Sequence, residues 1–419
     1  MYPALQKFYN ALKHLKQFAT ENSFFDNIGC IDTFLSEYRS ATLVLQASLG
    51  EPKHPVYINN LNKYLLRDKM TAKWMNDQRV TVIHKHPFLL KKNLRVVIYD
   101  HGNAVVFKKY EQSLEKEDPI GDYFQEIRDV LLSTESPEIY FSVQYAFVDE
   151  DDSNEVNIFD LIESSVVSMW YFLHAMKDDL DDHSDVSANL MHKIDSLFLS
   201  LPKRWTIDAV DYCYYRSDDS FERGLTLMMT LPDVKIPAAS FIGLVKRMPA
   251  NVETFYEAFI YFHTYIYIEQ KHHIASTFFV EYEDGTYQNI AFAGSIRTTM
   301  YRYINRVSSI ILNNSVASVY LVTETVGYGG FSVQSIQDFL KLNYKERMAY
   351  RTKTYLTFYK ISQLGNVEHV MIDADTLVDR LSASVAMGNL NPSQEHSVFS
   401  VALTPIVDSF KEKFRTTNK

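Results

Sequence analysis

A chain of 419 residues has room for two or three domains, and 46% hydrophobic against 22% charged residues excludes wholesale disorder. With 13 Gly and 12 Pro, collagen-like, proline-rich and flexible-linker architectures fall away. The formal net charge of −10 opposes general affinity for a phosphate backbone, so any nucleic-acid contact has to be local.

The first fifty residues predict two helices. Leu5, Phe8, Leu12, Leu15 and Phe18 recur at three and four residues, and Ile31, Phe34, Leu35, Tyr38, Ala41 and Leu45 resume the pattern after a break around Thr20 to Gly29. Pro52 and Pro55 end the second helix, because proline cannot donate to an i−4 carbonyl. A third helix is expected from about Asn60 through Trp74 to His84, closed by Pro87. Leu94–Tyr99 and Ala104–Phe107, β-branched runs around Asp100-His-Gly-Asn103, predict a β-hairpin. Pro137 to Val148 reads as a strand followed by the acidic turn Asp149–Asp152, and Ile158 to Leu180 as a long helix ending at Asp178-Asp-Leu-Asp-Asp182. Beyond Leu201–Arg204 the texture is mixed. Helices are expected over Phe221–Leu231, Asn251–Gln270, Thr298–Leu312 and Val398–Phe414, and strands over Val316–Thr325, Thr354–Ile361 and Val367–Ile372. A boundary near residue 200 divides the chain into 1–200 and 201–419.

Two cysteines, Cys30 and Cys213, are too few for a disulfide framework or a Cys-based zinc site. No stretch offers 18 uninterrupted apolar residues and the start lacks a basic n-region before an apolar core, so a soluble cytoplasmic protein without a membrane segment is expected.

Chemistry concentrates in Lys73-Trp-Met-Asn-Asp-Gln-Arg79-Val-Thr-Val-Ile-His84-Lys-His86-Pro-Phe88. Arg79 and His84, five residues apart on a helix, point about 140° away from each other and cannot converge on one phosphate. A two-fold dimer can solve this by bringing the same patch of two chains together. Such a cleft favours metal-free RNA cleavage: an imidazole, with an ordinary pKa of about 6.5, takes the ribose 2′-hydroxyl proton, and a guanidinium stabilises the charge growing on phosphate oxygens. The product carries a 2′,3′-cyclic phosphate, and DNA is inert for lack of the 2′-oxygen.

These residues resemble a family. The helices carrying Ser36-Glu-Tyr-Arg-Ser-Ala-Thr42, the Arg79-x4-His84 spacing before Pro87 and the long helix from Ile158 are similar to the HEPN superfamily, over roughly residues 1–190. The resemblance implies a HEPN-like helical bundle; with the inserted β-hairpin and the mixed C-terminal texture read from the residues, an α+β protein is expected, its second half a mixed α/β sensing or regulatory domain that the resemblance does not cover. It implies Arg79 and His84 as catalytic residues, no cofactor, a homodimer, an RNA substrate that is single-stranded or tRNA-like, and a toxin or antiphage role. Where active members usually have a polar residue after the arginine, this chain has Val80. Asn76 and Asp77 one turn earlier are accessory candidates, as are His86, a possible second proton carrier, and Arg39, which either lines the site or pairs with Glu37.

Alternatives stand beside each reading. Arg79 can instead pair with a carboxylate such as Asp77, and His84 can cap the helix C-terminus. His84, Lys85, His86, Lys91, Lys92 and Arg95 form the densest basic run, either an RNA footprint or a solvated connection into the hairpin. Asp178, Asp179, Asp181, Asp182, His183 and Asp185 lack EF-hand spacing and read as a solvated helix end, with an autoinhibitory phosphate mimic as the other option. His272-His273 lacks metal-ligand spacing, Gly327-Tyr-Gly-Gly330 lacks a following Lys-Ser or Lys-Thr and is no P-loop, and the stripe Tyr256, Phe259, Ile260, His263, Tyr267 reads as core or subunit contact. Two functions follow from different classes: a metal-independent endoribonuclease whose second domain takes a regulatory protein or ligand, or a non-catalytic HEPN-like module that binds a partner protein or nucleotide.

Overall fold

The computed structural model describes all residues except 21, 52, 101, 113–119, 150–156, 202–208, 229–234, 238–251, 253, 271–272, 331–335, 378–401 and 418–419. It is a mixed α/β structure whose described strand pairs are antiparallel. Its contacts divide into two units: residues 1–95, 108–119 and 144–209 in the first, and 96–107, 120–143 and 210–419 in the second.

The first unit is led by α1 (Tyr2–Gln17) and α2 (Phe24–Ser48), which pack along their length with every apolar position of the two periodic patterns buried. Ser23 starts α2 by accepting from the Asp26 N–H, and Gly50, at φ +69°, follows its end. The expected third helix is three pieces. A short α3 (Pro55–Asn60) runs into a π-helical turn, Leu61–Leu65, and α4 (Lys69–His84) starts afresh because the Asp68 carboxylate accepts from the Met70 and Thr71 N–H groups at 3.1 Å. Further on lie α6 (Ile158–Asp179), capped by Asn157, and α7 (Asp185–Leu199), capped by Ser184. α1 also packs on α7, and α4 on both α2 and α6. Between α4 and α6 the chain forms β1 (Leu90–Asp100), β2 (Asn103–Gln112), α5 (Ile120–Leu132) and β3 (Glu138–Asp149).

The hairpin is correctly placed but is no free insertion. β1 lies between β2 and β3 in a five-stranded sheet of order β2-β1-β3-β4-β5, completed by β4 (Ala209–Tyr215) and β5 (Ser220–Arg223). Its turn is tied within the second unit: Gly102, at φ +91°, has its carbonyl bonded by Asn305 Nδ2 at 2.6 Å, and a Cβ there would meet the Ala402 carbonyl oxygen at 2.7 Å. The unit boundary at 209/210 falls near the expected one, but the hairpin turn and residues 120–143 are grouped with the C-terminal half.

The second sheet has the order β12-β11-β10-β8-β9-β6, with β7 (Lys235–Pro237) also pairing β9. Its strands are β6 (Thr226–Met228), β8 (Ser276–Tyr282), β9 (Thr286–Gly294), β10 (Val316–Tyr328), β11 (Arg351–Ser362) and β12 (Val367–Asp373). α8 (Phe255–Glu269), started by a Thr254–Glu257 capping box, covers one face: Phe259, Ile260 and Tyr267 pack with Phe279, Tyr320, Val322, Leu356 and Phe358. α9 (Arg297–Asn313) stacks Tyr303 on Phe292 of β9 at 3.9 Å between ring centroids. Tyr320 and Val322 alternate with Val319 and Leu321, all buried, so β10 is apolar on both faces. The short helices α10 (Ile336–Lys341) and α11 (Tyr344–Arg347) precede β11, and α12 (Thr404–Thr417) packs on α9.

Two expectations need correction. The helix expected from Phe221 is β5 and β6, joined at Gly224, where a Cβ would lie 2.7 Å from the Ile296 side chain. Glu37 does not pair with Arg39; it takes Lys7 at 2.9 Å, while Arg39 donates to Thr42. Residues 150–152 of the acidic turn, 202–204 of the expected boundary, His272, and the ends expected at Met229–Leu231, Asn251 and Val398–Val401 lie outside the described residues.

Candidate functional site

α4 ends at His84, whose last-turn carbonyls are closed by the Lys85 and His86 N–H groups, both donating to the Thr81 carbonyl. The helix buries Thr71 and Met75, so its opposite face is open: Met70, Lys73, Asn76, Asp77, Val80, Ile83 and His84 are exposed. At about 100° per residue these positions fall within a sector of roughly 140° centred near Val80 and Lys73. Arg79 lies on its flank. It is half-buried, and its Nε is enclosed without a hydrogen-bond partner among the described residues. Asn76, Asp77 and His84 thus share one face, and one chain does not bring Arg79 and His84 onto the same side of the helix.

His86 takes a different position. Its Nδ1 lies 2.9 Å from the Pro87 carbonyl, and its charge acts on Asp32 of α2. Burial raises Asp32, opposed by the Phe88 N–H, which donates at 2.8 Å, and by His86. Trp74 meets Phe88 edge-on at 6.2 Å, so the segment leaving α4 is pinned to the helical layer by an aromatic contact and a carboxylate. Arg39 is engaged elsewhere: besides Thr42 it acts on Tyr57, whose hydroxyl burial raises and Arg39 lowers.

The basic run also has internal partners. Lys92 stands 4.2 Å from the Tyr145 ring centroid and donates to the Thr20 carbonyl at 3.4 Å, while the Arg95 guanidinium donates to Gln144 Oε1. Lys85 is exposed, and Lys91 is half-buried on β1 with a partner of its own. The strand's alternation therefore spreads these cations over both faces of the sheet and couples them to β3 instead of collecting them beside His84.

The acidic strip is largely consumed by the fold. Asp179 accepts from Asn60 at 2.7 Å, Asp181 pairs with His183 at 2.6 Å, and Asp182 faces the Met1 ammonium at 3.4 Å. Against the opposing effect of burial, hydrogen bonds from Ser184 and Ser187 hold the Asp182 carboxyl well below its usual range. Among the described residues no group of three or more His, Cys, Asp or Glu side chains is placed to hold a metal ion. The Tyr256–Tyr267 stripe is core, and burial pushes His263 down to about 4 while its Nδ1 sits 2.9 Å from the Phe259 carbonyl.

No family model, curated protein or solved structure matches this chain. The geometry stands on its own.

Sequence reading missed three polar clusters. Asp211 and Arg302 form a fully buried bidentate pair, Nε–Oδ1 at 2.8 Å and Nη2–Oδ2 at 3.0 Å. Glu138 accepts from Arg347, from the Tyr140 hydroxyl at 2.6 Å and from the Tyr344 N–H at 2.8 Å, with Arg297 set against the Tyr140 and Tyr344 rings at 5.7 and 5.4 Å. These pairs join residues up to 209 positions apart, and no local pattern announces them. The third cluster had a visible signal: Lys63-Tyr64 and Arg67-Asp-Lys69 interleave cations with an aromatic, in a stretch that reads as helix interior if Asp68 is not recognised as a cap. No helix among the described residues is long and apolar enough to cross a membrane.

Proposed function

We propose that the chain is a metal-independent endoribonuclease of the HEPN type, active as a homodimer, with a toxin or antiphage role. The observation that carries this reading is the open face of α4, which ends in an exposed His84 and is flanked by an Arg79 whose enclosed Nε has no partner among the described residues. The packing of α1, α2, α4, α6 and α7 supports a HEPN-like bundle around it. With the two side chains about 140° apart, each half-site needs the second copy. The His84 imidazole takes the 2′-hydroxyl proton, the 2′-oxygen attacks phosphorus, and the P–O5′ bond breaks as the leaving oxygen gains a proton. Arg79 offsets the charge on the non-bridging oxygens. The second unit acts as a sensing or regulatory domain for a protein or ligand.

The test is cleavage of RNA by the purified protein in EDTA. His84→Ala and Arg79→Ala, both folded by circular dichroism, are expected to lose on the order of 100-fold or more, and the products to end in cyclic phosphate. Activity that survives both substitutions removes the proposal. One observation favours a second reading, a non-catalytic interaction module: Val80 and Ile83, 37% and 41% exposed, place two apolar side chains on the open α4 face. That reading expects no cleavage and a complex lost on Val80→Asp but not on His84→Ala.

A further inference from the structure

The first unit contains a cationic groove at the end of α4 opposite His84. Arg67, Asp68 and Lys69, in the link between the π-helical turn and α4, line a cavity of about 590 Å³ together with Ser164 and Ser168 of α6. Asp68 does not neutralise it. Its carboxylate is turned onto its own helix, accepting from two N–H groups and the Thr71 hydroxyl, and those bonds hold its pKa down. Neither Arg67 nor Lys69 has an ion-pair partner among the described residues.

The groove continues into an aromatic step. Ser164, Ser168 and Tyr171 recur at four and three residues and share one side of α6. The Tyr171 ring, 43% exposed, lies parallel to that of Tyr64 with centroids 6.3 Å apart and 12° between planes. The Lys63 ammonium stands 4.9 Å from the Tyr64 centroid. Two cations and two hydroxyls lining one cavity, with a partly exposed aromatic ring one turn further along α6, are the parts that hold a single strand: charge tracks the backbone and a ring stacks a base. The π-helical turn supports this arrangement, since i→i+5 bonding over Leu61–Leu65 displaces Lys63 and Tyr64 from where a regular helix would carry them.

We propose that this groove binds single-stranded RNA, with Arg67 and Lys69 on phosphates, Ser164 and Ser168 on phosphate or ribose oxygens, and Tyr171 stacking a base. The choice of RNA over DNA rests on the ribonuclease reading. It also moves the RNA footprint from Lys91, Lys92 and Arg95 to Arg67 and Lys69.

The experiment is fluorescence anisotropy of a labelled ten-nucleotide single-stranded RNA with full-length His84→Ala protein, at several salt concentrations. Removing both phosphate contacts in Arg67→Ala/Lys69→Ala is expected to weaken binding tenfold or more and to flatten the salt slope by about 1.4, at about 0.7 per contact. Tyr171→Ala is expected to weaken it at least fivefold with the slope unchanged, and Lys91→Ala/Arg95→Ala to leave it within twofold. Circular dichroism melts matching the parent protein confirm that these surface variants fold. The proposal is overturned if the RNA does not bind, if Arg67→Ala/Lys69→Ala binds as the parent does, if the same-sequence DNA binds equally well, or if a free mononucleotide displaces the RNA at similar concentration. Absence of RNA cleavage by the parent protein, or cleavage that survives both His84→Ala and Arg79→Ala, would instead end the reading of the α4 site and leave the groove standing, so the two failures are separable.

Discussion

Replacing Arg302 by Met tests a fully buried ion pair of the second unit. Arg302 and Asp211 have side chains 1% and 0% exposed, joined by two hydrogen bonds of 2.8 and 3.0 Å. Without the guanidinium, the Asp211 carboxylate keeps only the Thr226 hydroxyl at 3.2 Å among the described residues. Removing one member of such a pair costs about 3–5 kcal/mol, because the remaining charge stays buried and uncompensated. Against a total of about 5–15 kcal/mol for a typical domain, that is enough to lower the urea midpoint by about 1.5–2.5 M at an m-value near 2 kcal/mol/M. The probe matters. Trp74 and Trp170, the tryptophans among the described residues, fall within the first unit, so their fluorescence does not follow the perturbed region. Hydrogen exchange of the β4 and α9 amides does, with circular dichroism as a global measure. The accompanying variant, Asp211→Leu/Arg302→Met, removes both charges and is expected to recover at least half of the loss. A cost under about 1 kcal/mol for Arg302→Met, or a double variant as unstable as the sum of the two singles, would refute the assignment of Arg302 as counter-ion.

Two further predictions concern the second unit. His263 is held near 4 by burial, below its ordinary 6.5, so the unfolded chain binds the proton more readily and stability is lost as pH falls from 6.5 through about 4; the loss is on the order of 3 kcal/mol. His263→Phe is expected to remove that component, measured as the difference in unfolding free energy between pH 7 and pH 4, and an unchanged acid slope would contradict it. Gly102→Ala places a methyl 2.7 Å from a backbone oxygen at a positive φ, neither of which a side-chain rotation relieves. It is expected to cost about 2 kcal/mol or more, read as a lower melting temperature; a melting temperature equal to that of the parent counts against the docked turn.

Helices with long apolar periodicity were legible from the chain alone, α1 and α2 from Leu5 to Leu45, α6 from Ile158 and α8 around Phe259, as was the strand pair β10 and β11 from its apolar and β-branched runs. The α4 breakpoint was hidden because Asp68 acts through a side-chain bond to a backbone N–H, which a hydrophobic pattern does not record. β8 and β9 escaped notice because Phe278 and Phe279 are buried on opposite sides, leaving no alternation to count. At the candidate site, the helix end, the exposed His84 and the angular mismatch with Arg79 follow from spacing. The dispersal of Lys92 and Arg95 into contacts with Tyr145 and Gln144 does not, since it depends on which strand lies beside β1.

The sheet order β2-β1-β3-β4-β5 has a practical consequence for dissecting the molecule. A fragment stopped near residue 200 keeps β1 to β3 but loses the neighbour of β3, baring a row of unsatisfied amides along a strand with Phe141, Val143 and Phe147 buried in the intact protein. Such a truncation is expected to precipitate or self-associate whatever its helices do, so tests of the amino-terminal half belong in the intact polypeptide.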